Sequence, residues 1–442
     1  MKNLPRVTGL QVFKNRKGIL KNPLPFHHAN FKRLGDTFKV SVGPAKTIVF
    51  TRDPVFVKHI LQKNHRKYHK SSLQTKDLAK YIGRGLLTSN GEHWRVHRRM
   101  VQPAFHKKKL EGMLSTMRLA IRDELLRVRP NEVQDIYPLM GDLAFQVVAK
   151  SLFSRNDIEK EMAQLKEITE TNQQMLIREM RQPYMNWWFK LSGAIARHLK
   201  LSKEARIILN GIIEERITSG LERDDLLDML LRARYDDDTG MSRNQLIDEV
   251  LILFTAGHET TANALSFALF LLAKNPDKQQ KAFNEISMVD LEKRDVLEVI
   301  SSLTFVKHCV EEAMRLYPPA YYIDRMSVET DRLGDFVVPK NTMFLLAIYE
   351  LHRDARFWES PESFMPERFS TLDKKELSDY YFPFGAGPRM CVGNNFAIYE
   401  MVLTVAEILK RYRIEPTLDD VTINPLISLR PKDVPLKFIK RG

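Results

Sequence analysis

The longest apolar stretch of the chain runs between Ser242 and Asn275. Ser242-Arg243-Asn244-Gln245, after Gly240, has the form of a capping box, and Asn275-Pro276 marks the far end. The 32 or so residues between them predict a helix of roughly 48 Å at the standard rise. Its apolar residues lie nearly all round, as in a helix buried through the middle of a domain. Shorter alternating patterns predict strands, with Val40, Val42 and Ile48 between Phe38 and Phe50, and again from Thr342 to Ile348. The length of 442 residues would ordinarily suggest two or three domains. No Gly/Ser tract, Pro-rich spacer, low-complexity block or internal repeat divides it, so one mainly α domain over 1–442 is expected.

The long helix contains Ala256-Gly257-His258-Glu259-Thr260-Thr261. A mid-helix glycine costs about 1 kcal/mol. Threonine can bond back to its own carbonyls, and a buried glutamate is costlier still unless paired. Three unfavourable choices in six positions predict a distortion retained for function. His258 suits a core position as well as a catalytic one, and Thr261 suits helix packing.

The formal net charge is +14. The basic residues are spread and carry no helix-turn-helix, zinc or RNA-binding signature, so a nucleic-acid partner is not expected. Two local groups stand out: Arg95, Arg98 and Arg99 with Lys107, Lys108 and Lys109, and Lys410, Arg411 and Arg413. Only two cysteines occur, Cys309 and Cys391, far apart. That pattern argues against a disulfide scaffold and a zinc site and fits a reducing cytoplasm. Cys309 reads as a helix-core position. His93, His97 and His106 suit no zinc spacing. Residues 1–30 are basic, broken by Pro5, Pro23 and Pro25, and hold neither a membrane-spanning run nor a signal-peptide core. No membrane anchor and a cytoplasmic location are the expectations.

The most informative stretch is Phe384-Gly385-Ala386-Gly387-Pro388-Arg389-Met390-Cys391-Val392-Gly393. Glycines and a proline let the backbone fold tightly around one sulfur, whose neighbouring amides can hold it as thiolate. Arg389 adds a cation that favours the anion. Phe-x-x-Gly-x-Arg-x-Cys-x-Gly resembles the haem-binding signature of the cytochrome P-450 family. The resemblance implies haem b with Cys391 as its axial iron ligand, and Phe384, Arg389 and Gly393 in the haem-binding loop. It also implies the fold, a helical prism with a long central helix and a small N-terminal β-sheet.

Ala256-Gly257-His258-Glu259-Thr260 resembles the family's oxygen-activation motif. By that resemblance Thr260 and Glu259 are catalytic, delivering protons to the oxygen under reduction, and Ala256 and Gly257 border the haem, Gly257 opening a groove for dioxygen. Glu312-Ala313-Met314-Arg315, stopped by Pro318-Pro319, and Pro366-Glu367-Arg368-Phe369 together resemble a buried triad of Glu312, Arg315 and Arg368. Trp94 and Arg98, four apart on one helix face, are similar to a haem-propionate clamp, and Arg325 matches a further propionate arginine. A substrate pocket would include Ile252, Thr255, Tyr322, Ile323 and Ile427.

The implied activity is insertion of one oxygen atom of O2 into an organic substrate. About fifty residues follow Cys391, too few for a fused reductase. Electrons are therefore expected from a separate ferredoxin or flavodoxin with its reductase, docking on the basic groups if both flank the thiolate side. Polar residues at 69–91 and 320–324, if turned inward, would suit a polar methyl ether such as a methylated sugar, cleaved by oxidative O-demethylation. A fatty acid or terpenoid is the other substrate class. A peroxide-driven haem-thiolate enzyme and a non-catalytic haem protein are the other functional classes, the first disfavoured by the intact Glu259-Thr260 pair.

Overall fold

The computed structural model describes residues 4–42, 46–155 and 157–441. Residues 1–3 of the basic lead segment and 43–45 of the first predicted strand pair lie outside the described residues. The long apolar stretch is a single helix, Arg243–Lys274. Ser242 Oγ accepts from Gln245 N at 3.3 Å, which is half of the expected box. The other half is absent, because the Gln245 side chain donates to Arg84 O at 2.8 Å and Glu249 Oε1 at 3.0 Å. It ties the 83–90 loop to the helix rather than closing the cap.

The long helix packs along Ile136–Phe153 and against Thr304–Leu316 and Asn394–Arg411. These helices meet through fully buried Leu, Val, Phe and Ala, among them Leu143, Val147, Phe267, Val310 and Val402. Burying this apolar surface stabilises the fold. A Cβ on Gly257 would stand 3.0 Å from Val148 Cγ2. Gly257 therefore serves close approach of two helices, where a dioxygen groove was expected.

The β-structure is not confined to the N-terminal end. The largest sheet runs Arg6–Val7, Thr37–Val42, Lys46–Thr51, Met343–Leu346, Ile323–Ser327, Tyr68–His69 in spatial order. Thr37–Val42 and Lys46–Thr51 are antiparallel, and Lys46–Thr51 pairs in parallel with Met343–Leu346. The predicted strand from Thr342 is shorter than expected, and Ile348 opens a four-residue helix. A late hairpin pairs Ile423–Pro425 with Leu429–Pro431 and rests on the long helix. Among the described residues no helix is long and apolar enough to cross a membrane.

Candidate active site

The cysteine loop is held by its own backbone and by glycines. Gly385 N donates to Phe382 O, Met390 N to Gly387 O, and Cys391 N to Phe384 O, all at 2.9–3.0 Å. Gly385 and Gly387 adopt φ of +73° and +68°. A Cβ at Gly387 would run into the Leu61 carbonyl, so no other residue fits there. Cys391 is exposed, unlike Cys309. Desolvation nonetheless raises its thiol pKa, with the Gly393 N–H and the Arg98 guanidinium pulling the other way.

The cation beside the sulfur is thus Arg98, not Arg389 as the sequence suggested. Arg98 Nη1 donates to Met390 O at 2.7 Å and its Nε to Gln102 Oε1 at 3.0 Å. It braces the loop instead of standing free as a clamp. Cys309 is fully buried in Thr304–Leu316, where desolvation pushes its thiol well up.

Behind the loop the predicted triad forms. Arg315 donates Nε and Nη2 to the two Glu312 oxygens at 2.7 and 2.9 Å, and Arg368 Nε reaches Glu312 Oε1 at 3.1 Å. Arg315 Nη1 also donates to His352 O and Pro361 O, both at 2.7 Å. His352 escaped the sequence reading. Burial holds it neutral, so its Nε2 can accept from Phe382 N at 2.9 Å, which joins the triad to the start of the cysteine loop. Trp358 lies wholly buried under both arginines, 5.0 and 5.8 Å from their guanidinium carbons.

A second cluster gathers cations with too few acids. Arg389 Cζ lies 4.1 Å over the Trp94 ring, and its buried Nε and Nη1 have no hydrogen-bond partner among the described residues. Burial and the neighbouring Arg325 bring Arg389 down to about 10. Lys70, which the sequence reading also missed, is pushed well below its ordinary value by burial, then by Arg389 and Arg325. Arg325 is itself buried, Nη1 donating to Asp324 O at 2.7 Å. Asp324 Oδ2 accepts from Ser71 N at 3.0 Å and its Oδ1 from Gln74 Nε2 at 2.5 Å. Asp324 stands beside Arg325, yet Arg389, Arg325 and Lys70 outnumber it. The two carboxylates of haem fit this cluster, and the exposed Cys391 fits the iron.

On the long helix Ala256 and Thr260, one turn apart, are exposed in an otherwise buried stretch, and Thr260 Oγ1 donates to Ala256 O at 3.0 Å. Glu259 turns to the late hairpin, where Ser428 Oγ donates to its Oε1 at 2.6 Å. His258 Nδ1 donates to Phe254 O at 2.9 Å and lies edge-on to Phe145, so it is a satisfied core residue. Thr261 Oγ1 likewise bonds back to Gly257 O at 3.0 Å.

The expected pocket residues do not assemble on one face. Ile252 is 2% exposed, and the buried Thr255 hydroxyl donates to Leu251 O at 2.7 Å. The Tyr322 hydroxyl lies 2.9 Å from His27 Nδ1 and its ring lies edge-on to Phe50, so it belongs to the large sheet's packing. Ile323 borders the cysteine loop, 3.6 Å from where a Gly385 Cβ would stand. Ile427 is exposed at the hairpin turn.

An open cleft of about 740 Å³ runs beside Trp94, Arg98 and Arg389 and is also lined by Arg66, Arg95 and Arg99. Glu92 is its one acid, paired with Arg95 at 2.5 Å. The second basic group lies at the far end of the helix that follows the cysteine loop. Lys410 and Arg411 end the 18-residue helix that starts after Gly393, about 27 Å along it.

The fold and the site suit a protein that holds haem beside Cys391. The Cytochrome P450 family model matches residues 4–438. A cyclooctat-9-en-7-ol 5-monooxygenase from Streptomyces melanosporofaciens is 30% identical over 90% of this chain and 86% of its own length. An 11-oxo-beta-amyrin 30-oxidase from Glycyrrhiza uralensis is 29% identical over 92% and 80%. A probable cytochrome P450 4s3 from Drosophila melanogaster is 31% identical over 87% and 81%. The chain belongs to the cytochrome P450 family and is a monooxygenase with a haem-iron cofactor.

Proposed function

We propose that the whole chain acts as one catalytic unit that hydroxylates an unactivated carbon of a largely apolar, terpenoid-like substrate, with electrons from a separate acidic protein such as a ferredoxin or flavodoxin. The observation that carries the enzyme reading is the glycine-shaped Cys391 loop braced by Arg98, with Arg389 stacked on Trp94 and two of its buried N–H groups unpaired among the described residues. Haem b, when bound, supplies the one-electron and O2 chemistry.

The chain's own residues do the rest. Cys391 would hold the iron as a thiolate, giving up the proton that burial alone would retain. Arg389, stacked on Trp94, and Arg325 hold the two carboxylates. Ala256 leaves room on the open face of the long helix. The Thr260 hydroxyl exchanges its bond to Ala256 O for one into the pocket and hands over a proton there. Glu259 renews that proton from water. Catalysis thus depends on proton supply at Thr260 Oγ1.

The substrate class follows from where polar groups are already paired. Ser71 and Gln74 bind Asp324, Thr75 Oγ1 donates to Ser71 O at 3.1 Å, and Tyr321 O–H donates to Leu426 O at 2.7 Å. Several of the groups expected to recognise a methylated sugar are engaged inside the protein, which favours a less polar ligand. The names of two relatives, for oxidation of cyclooctat-9-en-7-ol and of 11-oxo-beta-amyrin, support the same class. The cationic cleft beside Arg389, near the haem carboxylates, is the surface that suits an acidic electron donor.

Titration of the haem-loaded protein with terpenoid alcohols, methylated sugars and fatty acids, watched at the Soret band, tests the substrate. A low-to-high-spin shift with terpenoids alone is expected. A shift with methylated sugars alone would overturn the terpenoid assignment.

A further inference from the structure

Ser428 Oγ lies between two side chains of the long helix. It donates to Glu259 Oε1 at 2.6 Å and accepts from Asn263 Nδ2 at 2.9 Å. An amide nitrogen can only donate, so the single Ser428 proton must point at the carboxylate. Glu259 and Asn263 are four apart and hence on one face of the helix. Ser428 comes from the late hairpin, brought there by the fold alone. Asn263 is wholly buried and its Oδ1 has no partner among the described residues. A buried amide left half-satisfied costs free energy, so its retention calls for a task, and orienting Ser428 is the one its geometry performs.

The hairpin is fixed from its other side. Arg181 Nη2 donates to Pro425 O at 2.5 Å, Tyr321 O–H to Leu426 O at 2.7 Å, and Leu429 N to Pro319 O at 2.9 Å. These anchors come from the end of Glu159–Arg181 and from the stretch after Pro319.

We propose that Ser428 is a positioning residue for Glu259. It fixes one carboxylate oxygen and leaves Oε2 to exchange protons, and it makes proton supply depend on the hairpin and on whatever presses against it. The inference rests on the reading of Glu259 and Thr260 as the proton-supplying pair.

The test compares Ser428→Ala, Ser428→Thr and Thr260→Ala in the haem-loaded protein, with a reductase chain and a substrate that shifts the Soret band. Three readouts are taken: electrons recovered as hydrogen peroxide (two electrons and two protons per O2), the solvent deuterium isotope effect on product formation, and amide exchange over residues 425–431. Ser428→Ala should keep the thiolate spectrum and substrate affinity. It should raise the peroxide fraction and the isotope effect several-fold and speed exchange in the hairpin, and Ser428→Thr should restore all three. If Ser428→Ala does not load haem, Asn263→Ala, which removes the orienting donor, gives the same readouts. Unchanged coupling and isotope effect in the serine variant, beside an uncoupled Thr260→Ala, would overturn the inference alone. Full coupling in both would overturn the Glu259–Thr260 reading beneath it.

Discussion

The Arg389 guanidinium lies 4.1 Å over the indole of Trp94, with two of its buried N–H groups unpaired among the described residues and Arg325 as its charged neighbour. A like-charged pair held in this way is a poor arrangement for the protein alone and a good one for a dianion. Arg389→Leu should therefore have opposite effects in two states. Haem-free protein should gain about 1–3 kcal/mol against denaturant, the cost of leaving a buried polar group unpaired. Haem-loaded protein should lose its haem faster to a competing apoprotein. A loss of stability in both states would contradict the assignment.

Glu249 and His97 stand 3.3 Å apart in the geometry of an ion pair, yet burial moves them in opposite senses. Glu249 rises to about 7 and His97 falls to about 4, so between those values both are neutral. A carboxyl whose folded pKa exceeds the unfolded value stabilises the fold at low pH and loses that contribution as pH rises to the folded pKa. The stability of Glu249→Gln relative to the parent should climb from about pH 4.5 to about pH 7, by up to about 3 kcal/mol, and then level off. The His97 contribution is common to both proteins and cancels. Chemical denaturation across that range checks it, and a flat difference would refute it.

Arg98 is the cation that opposes burial at the Cys391 thiol. Iron and proton compete for that sulfur, so ligation by thiolate strengthens as pH rises toward the thiol pKa. Arg98→Leu should move the pH midpoint of thiolate ligation to more alkaline values, read in the reduced carbon monoxide spectrum. An unmoved midpoint would show that Arg98 only braces Met390.

Glu312 accepts from Arg315, from Arg368 and from Met365 N at 2.9 Å. Glu312→Ala strands two buried guanidinium groups and should cost about 3–5 kcal/mol in unfolding free energy. The effect should reach the cysteine loop through His352 and Phe382, weakening haem retention as well as stability.

Much of this architecture was legible in the sequence where one residue type has one physical use. The apolar run from Ser242 to Asn275 predicts a buried helix, whereas Glu312, Arg315 and Arg368 come together only through the family resemblance, since Glu-x-x-Arg alone reads as a surface pair. What stayed illegible depended on tertiary approach. Gly257 looked like an opening until Val148 was seen beside it. Tyr322 looked like a pocket residue until His27 and Phe50 surrounded it. His352 and Ser428 carry no local signal, because their partners lie 30 and 169 residues away. The strand from Thr342 was legible from its alternation, whereas Ile323–Ser327, which pairs with Met343–Leu346, was not predicted.

The central claim is that Cys391 ligates haem iron. The most direct measurement is the reduced carbon monoxide difference spectrum of the haem-loaded parent beside Cys391→Ser. The account predicts the band of a thiolate-ligated haem in the parent and its disappearance in the variant. The same band in both proteins would contradict the assignment of Cys391, and its absence from the parent would contradict the reading of the site as a whole.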